Sequence, residues 1–320
     1  MTLQRSTPWK GRNDQDEEPF GRRWHHQVVM ANTETHLVRS ESIGLLGFAC
    51  DLGVKRNLGR QGAAEGPMAL RDKLRNLAWH WGNRKLVDFG DIKIEDEDLE
   101  TGQEQLSEEI VKAIPEVSRL LVVGGGHETA FGSFAGLQKA LGPEASIGII
   151  NLDAHFDLRR PGSQGSSSGT PFYQAQILTG TKNFHYFCLG LSRESNTESL
   201  FRRAQEWGVM YRFDHEMTLT DMPQLQADLF AFTEPLDALY LTIDLDVLPH
   251  YQAPGVSAPA ARGVDLAVIE KTIDLVIDSA KQCRLGLPLV EISELNPMYD
   301  QQGVTASTAA MLACRMLGPI

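Results

Sequence analysis

The chain has 320 residues, is 42% hydrophobic and carries a formal net charge of -12, which is enough apolar material for one large α/β domain. An acidic balance without any basic stretch argues against a nucleic-acid or anionic-membrane partner, because little is present to displace phosphate counterions. Cys50, Cys188, Cys283 and Cys314 lie too far apart for a zinc knuckle and are too few for a disulfide scaffold. They read as reduced core thiols of a cytoplasmic protein.

Residues 1–40 are polar, of mixed charge and without the apolar segment of a secretory signal. Trp9, Phe20 and Trp24, scattered through them, predict an arm draped on the body, and residues 41–320 read as a single catalytic domain. Eight short apolar, β-branched runs predict strands at 43–48, 85–89, 120–123, 147–152, 185–189, 209–213, 238–245 and 289–292. Segments of helical length separate them. Gly66-Pro67 opens a helix with Leu70, Leu74 and Leu77 on one stripe, proline being tolerated in a first turn. Further helices are expected after Gly126, through Leu266, Ile269, Ile273 and Val276, and from about Ser307 to the C-terminus. This alternation predicts a three-layer α/β/α sandwich with an eight-stranded, mostly parallel sheet. No window reaches the roughly 18 apolar residues of a membrane span.

Ligands of open α/β sheets gather outside the carboxyl ends of the strands, and three segments there carry metal-type side chains. Gly124-Gly125-Gly126-His127-Glu128 follows the third run; taken alone it is an ordinary glycine-rich strand-to-helix turn. Asp153-Ala154-His155-Phe156-Asp157 follows the fourth, and alternate residues of an extended chain point to one side, so two carboxylates and an imidazole converge. Asp244-Leu245-Asp246 ends the seventh, where a buried unpaired pair of charges would cost several kcal/mol. Together His127, Asp153, His155, Asp157, Asp244 and Asp246 exceed what one tetrahedral zinc needs and suit two hard cations. Imidazole and carboxylate without thiolate favour Mn²⁺, with Fe²⁺, Co²⁺ or Ni²⁺ also compatible. A pair of metals roughly 3.5 Å apart can lower the pKa of a shared water to give a hydroxide nucleophile at neutral pH.

Six segments in order make the chain resemble the ureohydrolase family of arginases, agmatinases and related binuclear manganese amidinohydrolases. They are 62–67 (Gly-Ala-Ala-Glu-Gly-Pro), the Gly-Gly-Gly-His and Asp-Ala-His-Phe-Asp segments, Ser168-Gly169-Thr170-Pro171-Phe172, Ile243-Asp244-Leu245-Asp246 with Ala253-Pro254-Gly255, and Glu294-Leu295-Asn296-Pro297. The resemblance spans about residues 44–319 and implies the arginase-like fold with two Mn²⁺ per subunit. It implies that His127, Asp153, Asp157 and Asp244 hold one cation and that Asp153, His155, Asp244 and Asp246 hold the other, with Asp153 and Asp244 bridging. Asp157 would relay a proton to the departing amine, and Glu294 would face the amidine-type cation of the substrate. Many family members form trimers or hexamers, so a homo-oligomer is implied, but no interface stripe selects a stoichiometry.

Two departures narrow the substrate. Where arginases and agmatinases carry a His before the Gly-x-Pro turn, this chain has Ser168. The Ser-Ser-Gly-Thr-Pro-Phe version resembles the branch of the family that hydrolyses N-formimidoyl-L-glutamate to glutamate and formamide in histidine degradation. Arg159, two residues past Asp157, offers a bidentate fork to a carboxylate, which suits that dicarboxylate and repels agmatine. Arg60 is a second carboxylate candidate, and Ser168 would position substrate or water. Two rival expectations stand beside this one: a guanidino-acid hydrolase releasing urea, and a non-catalytic relative made conceivable by the missing His. Zinc deacetylases of the same fold use one metal and would not need all six ligands.

Overall fold

The computed structural model describes residues 3–4, 9–14, 17, 20–31, 38–94 and 98–318. One sheet joins ten strands: β1 (Leu3–Gln4), β2 (Val28–Met30), β3 (Ser42–Ala49), β4 (Lys85–Lys93), β5 (Leu120–Val123), β6 (Ile147–Leu152), β7 (His185–Leu191), β8 (Met210–Phe213), β9 (Ala238–Asp244) and β10 (Gly286–Ser293). The α-helices among the described residues are α1 (Leu52–Arg56), α2 (Gly66–Leu74), α3 (Leu99–Ala113), α4 (Thr129–Leu141), α5 (Pro171–Thr179), α6 (Glu198–Glu206), α7 (Met222–Thr233), α8 (Leu266–Gln282) and α9 (Val304–Leu317). All eight predicted strands are present. The count is ten because β2 and β1 add to the outer edge of β4, the first parallel and the second antiparallel. Strands of two and three residues carry too little alternation to be read as strands.

Across the sheet the order is β1, β4, β3, β5, β10, β9, β6, β7, β8, and every pairing except that of β1 is parallel. A parallel sheet has to be covered on both faces, and its residues divide accordingly. In β5, Leu121 and Val123 join one core with helices α2, α7, α8 and α9, while Leu120 and Val122 join the other with α3 to α6. Ile150 and Leu152 of β6 face the first core, Ile147 and Ile149 the second.

Helix boundaries follow local chemistry. α8 carries the expected stripe, and the Asp265 carboxylate accepts the Ala267 N–H at its start. α9 begins at Val304, earlier than expected, because both Asp300 oxygens take N–H groups of its first turn, from Thr305 (2.8 Å) and Ala306 (2.9 Å). α2 stops at Leu74, so Leu77 lies beyond it and its carbonyl receives the Trp24 N–H (3.0 Å). β4 runs on past Phe89 because Gly90, at φ +87°, accommodates an extra residue opposite β3.

The N-terminal segment is tied down at two aromatic points. Trp24 is buried edge-on against Trp79 and Trp81, with ring centroids 5.2 and 4.8 Å away, and Trp9 donates its indole N–H to Asp88 (2.8 Å). Phe20 stays 91% exposed. Of the cysteines, Cys50 and Cys188 are core thiols, whereas Cys283 and Cys314 are only half-buried.

Asp88 also belongs to a buried charge cluster beneath α2. Arg71 grips both its oxygens, Nε at 3.0 Å and Nη2 at 2.9 Å, and pairs with Asp91 through Nη1. Burial raises the Asp91 pKa and the Arg71 charge opposes that rise. Arg71→Ala would leave two buried carboxylates without their cation and is expected to cost ~3–5 kcal/mol in urea unfolding. A loss below about 1 kcal/mol, the range of exposed pairs, would contradict that role.

Candidate metal centre

The carboxyl ends of β5, β10, β9 and β6 lie side by side, and each leads into one of the polar segments. After β5 the backbone passes so close to Cys50 that a Cβ on Gly125 would sit 1.7 Å from its carbonyl oxygen, so only glycine fits there. That approach lets Gly126 N–H bond to Cys50 O (3.0 Å) and brings His127 over the sheet end.

All six predicted ligands converge. His127 Nδ1 lies 2.9 Å from Asp157, 3.1 Å from Asp153 and 3.4 Å from Asp244. His155 Nδ1 lies 3.0 Å from Asp246 and 3.5 Å from Asp153. Two ligand groups result, His127/Asp153/Asp157/Asp244 and Asp153/His155/Asp246, each with donor atoms within 4.8 Å of one another. Asp153 is common to both. Asp244, expected to bridge as well, falls only in the first.

The convergence is not that of an extended chain. β6 ends at Leu152, His155 N–H folds back onto Asp153 Oδ1 (2.7 Å), and Asp157 has φ +48°. Asp246 lies in a short 3₁₀ turn capped by Asp244, whose carboxylate accepts the Asp246 N–H (2.8 Å). Turns, not alternation, bring these carboxylates together.

Their burial has electrostatic consequences. Burial, reinforced by the Asp153 charge, pushes the Asp157 pKa up to about 6. Burial and the neighbouring Asp246 and Asp153 hold Asp244 well above the usual carboxylate range. For the imidazoles burial acts downward, but the carboxylates override it: Asp153 and Asp157 hold His127, and Asp246 and Asp153 hold His155, well above 6.5. Four carboxylates and two imidazoles, without a thiolate among them, fit two divalent cations, whose charge would balance the aspartates. His127 is oriented for the same task. Its Nε2 meets Thr242 Oγ1 (3.0 Å), whose hydroxyl donates to buried Glu291 (3.3 Å), so Nδ1 is the nitrogen turned to the carboxylates.

A cavity of about 110 Å³ opens on this cluster. Glu294 lines it, buried, in a left-handed backbone conformation (φ +68°); one carboxylate oxygen accepts His127 N–H (3.1 Å) and the other has no partner. Burial and then the Glu128 charge raise the Glu294 pKa. Ser168 and Arg159 also line the cavity, Ser168 receiving a hydrogen bond from Asn57 Nδ2 (3.2 Å). Arg60 does not. Its guanidinium donates to the Val256 and Ser257 carbonyls and stacks 4.2 Å over Tyr299, so it braces the loop that forms one lip of the cavity.

Several site residues were not singled out from the sequence. Asn151 donates to Asp153 Oδ2 (2.9 Å), and Asn196 takes the Phe156 N–H (3.0 Å) and donates to the Ala154 carbonyl (2.9 Å), clamping the 153–157 turn. Asn151 and Thr242 each stand two residues before a ligand in an apolar strand, a polar intrusion that could have marked them. Asn57, Ser195 and Asn196 sit in loops with no such signal.

Fold and cluster together define a metal-dependent hydrolase of the arginase type, and the chain belongs to the Arginase family, whose profile matches residues 41–318. Within that family it is similar to formimidoylglutamases. It is 45% identical to that of Aeromonas hydrophila over 97% of this chain and 96% of the relative, and 46% identical to that of Citrobacter koseri over 96% and 94%. Among solved structures, a Trypanosoma cruzi formiminoglutamase with Mn²⁺₂ superposes with a TM-score of 0.74 at 25% identity, covering 86% of this chain and 92% of that one. The formimidoylglutamase of Bacillus subtilis shares the fold with a TM-score of 0.83 at 19% identity, over 96% and 93%.

The raised pKa values give the metal-free chain a defined pH response. Asp157 at about 6 lies above its unfolded value near 3.9, so the folded state holds the extra proton between them and that stabilisation is lost as pH rises through about 6. His127 and His155, also raised, contribute stability that is complete below about pH 6.5 and lost as pH rises through their folded values. Both effects have one sign. Thermal unfolding of chelator-treated protein should therefore show a midpoint that falls from about pH 6 to about pH 9, and a divalent cation, competing with those protons, should raise it most at the alkaline end. A midpoint that rises with pH would contradict this.

Proposed function

We propose that the chain is a formimidoylglutamase, hydrolysing N-formimidoyl-L-glutamate to L-glutamate and formamide in histidine degradation. The observation that carries this reading is that Glu294 and Arg159 line the cavity that opens on the six-ligand cluster; the relatives' names agree with it. In this reading His127, Asp153, Asp157 and Asp244 would hold one Mn²⁺, and Asp153, His155 and Asp246 would hold the second. When bound, such a pair of cations lowers the pKa of a shared water to near 7 and so supplies a hydroxide nucleophile.

The chain's own residues supply the rest. The unpartnered Glu294 oxygen accepts from the amidinium and orients the formimidoyl carbon, a charge-assisted bond being short and directional. Arg159 takes a substrate carboxylate, which an amine such as agmatine lacks. Water adds to the formimidoyl carbon and the bond from that carbon to the glutamate nitrogen breaks. Asp157 carries the proton to the departing nitrogen, and Ser168, fixed by Asn57, positions the substrate where arginases use an imidazole. Arg60 acts on substrate through the lip it braces.

The reading extends to the whole chain. Residues 41–320 form a single catalytic domain and 1–40 an arm, in a cytoplasmic homo-oligomer that needs no nucleic acid or membrane. No helix among the described residues is long and apolar enough to cross a membrane, and the four cysteines are free.

The test is a product assay. Manganese-loaded protein is incubated separately with formimidoylglutamate, agmatine, arginine and guanidinobutyrate, and formamide and urea are followed independently. Formamide from formimidoylglutamate should appear at the highest rate. Faster release of urea from any guanidino compound would overturn the assignment in favour of a guanidino-acid hydrolase.

A further inference from the structure

Two further cavities adjoin the metal cavity, and their charges differ. The first, about 470 Å³, shares His155, Ser195 and Ala258 with it and carries Glu194, Asp214 and Arg262. Arg262 lies 3.9 Å from the Asp214 carboxylate, so its charge is met and Glu194 leaves the wall acidic. The second, about 280 Å³, shares Asn57 and Arg159 with the metal cavity and adds Arg56, Arg160 and the turn at 162–165.

This second cavity has a built wall. Arg56 holds both oxygens of Glu100 (2.9 and 3.0 Å) and the Ser166 carbonyl (3.1 Å), and the same carboxylate accepts Ser166 N–H (2.9 Å). Reciprocal N–H···O bonds of 3.1 Å between Gly162 and Gly165 close the turn. Arg56 is thus neutralised in place. Among the described residues neither Arg159 nor Arg160 has an ion pair or a side-chain hydrogen bond. In a chain of net charge -12, two successive exposed arginines without carboxylate partners line a cavity that shares Asn57 and Arg159 with the metal cavity.

We propose that this basic side pocket selects a second carboxylate, with Arg160 as its specificity-determining residue. The inference rests on the hydrolase reading above. Arg159 lines both cavities and meets the carboxylate nearer the amidine. Arg160 lines only the side pocket and meets the farther one, each through the planar fork that matches a carboxylate. The enzyme therefore prefers amidines of dicarboxylic amino acids to those of monocarboxylic ones, and the acidic cavity on the other side repels the same group.

The test compares N-formimidoyl-L-glutamate with N-formimidoyl-L-alanine, which lacks the distal carboxylate, on manganese-loaded wild type, Arg160→Met and Arg262→Met. Losing a charge-assisted bidentate contact should raise KM of Arg160→Met for the dicarboxylate by about tenfold or more with kcat kept, and should leave the monocarboxylate unchanged. L-Glutamate binding, read by calorimetry, should weaken in parallel. Arg262→Met should keep the wild-type ratio. The subsite is overturned if Arg160→Met discriminates as wild type does, or if Arg262→Met is the variant that loses discrimination. A wild type that releases formamide from neither compound overturns instead the hydrolase reading beneath it.

Discussion

Four aspartates buried against two imidazoles at one end of a parallel sheet form the constraint on which the rest of this structure depends. Burial first, and then like charges this close, raise a carboxylate's pKa, and Asp157, Asp244 and Asp246 are all raised, while Asp153, hydrogen-bonded to both imidazoles, is lowered. Such a cluster is stable only if protons or cations answer its charge. The surrounding polar groups are spent on orientation: Asn151 on Asp153, Thr242 and Glu291 on His127, Asn196 on the backbone between them. Among the described residues these aspartates pair with His127 and His155 and with no lysine or arginine, which leaves their charge available to metal.

Topology makes the cluster geometrically feasible. Because β5, β10, β9 and β6 are neighbours in space though distant in sequence, four chain segments deliver side chains to one volume from rigid strand ends. Two of the delivered residues, Asp157 and Glu294, adopt left-handed backbone conformations that are uncommon for non-glycine residues and concentrate at functional sites. Glu294 is held there by its own N–H to Gly125 O (2.7 Å) and by His127 N–H on its carboxylate. Strain on the backbone and an unpartnered carboxylate oxygen thus meet at the residue assigned to the amidinium.

Much of this was legible in the sequence, and the parts that were not share a cause. The eight long strands and the stripes of α2 and α8 are written in local periodicity. The six ligands stand out because carboxylates and imidazoles at the ends of apolar runs are chemically conspicuous, although turns at 153–157 and 245–247, not alternation along an extended chain, make them converge. What escaped depends on contacts between distant segments: β1 and β2 exist by pairing with β4, and Asn57 and Asn196 gain meaning only where their loops reach the cavity. Arg60 shows the same limit from the other side. Its charge suggested a carboxylate, but its position beside the Val256 and Ser257 carbonyls gives the guanidinium other partners.

The central claim is that the aspartate cluster is a two-cation site sharing Asp153, and metal stoichiometry tests it most directly. After loading with manganese and removal of excess, elemental analysis should return about two ions per chain in the wild type, falling to about one or fewer in Asp153→Asn, since that carboxylate belongs to both ligand groups. A wild type saturating at one ion, or an Asp153→Asn variant that still holds two, would contradict it.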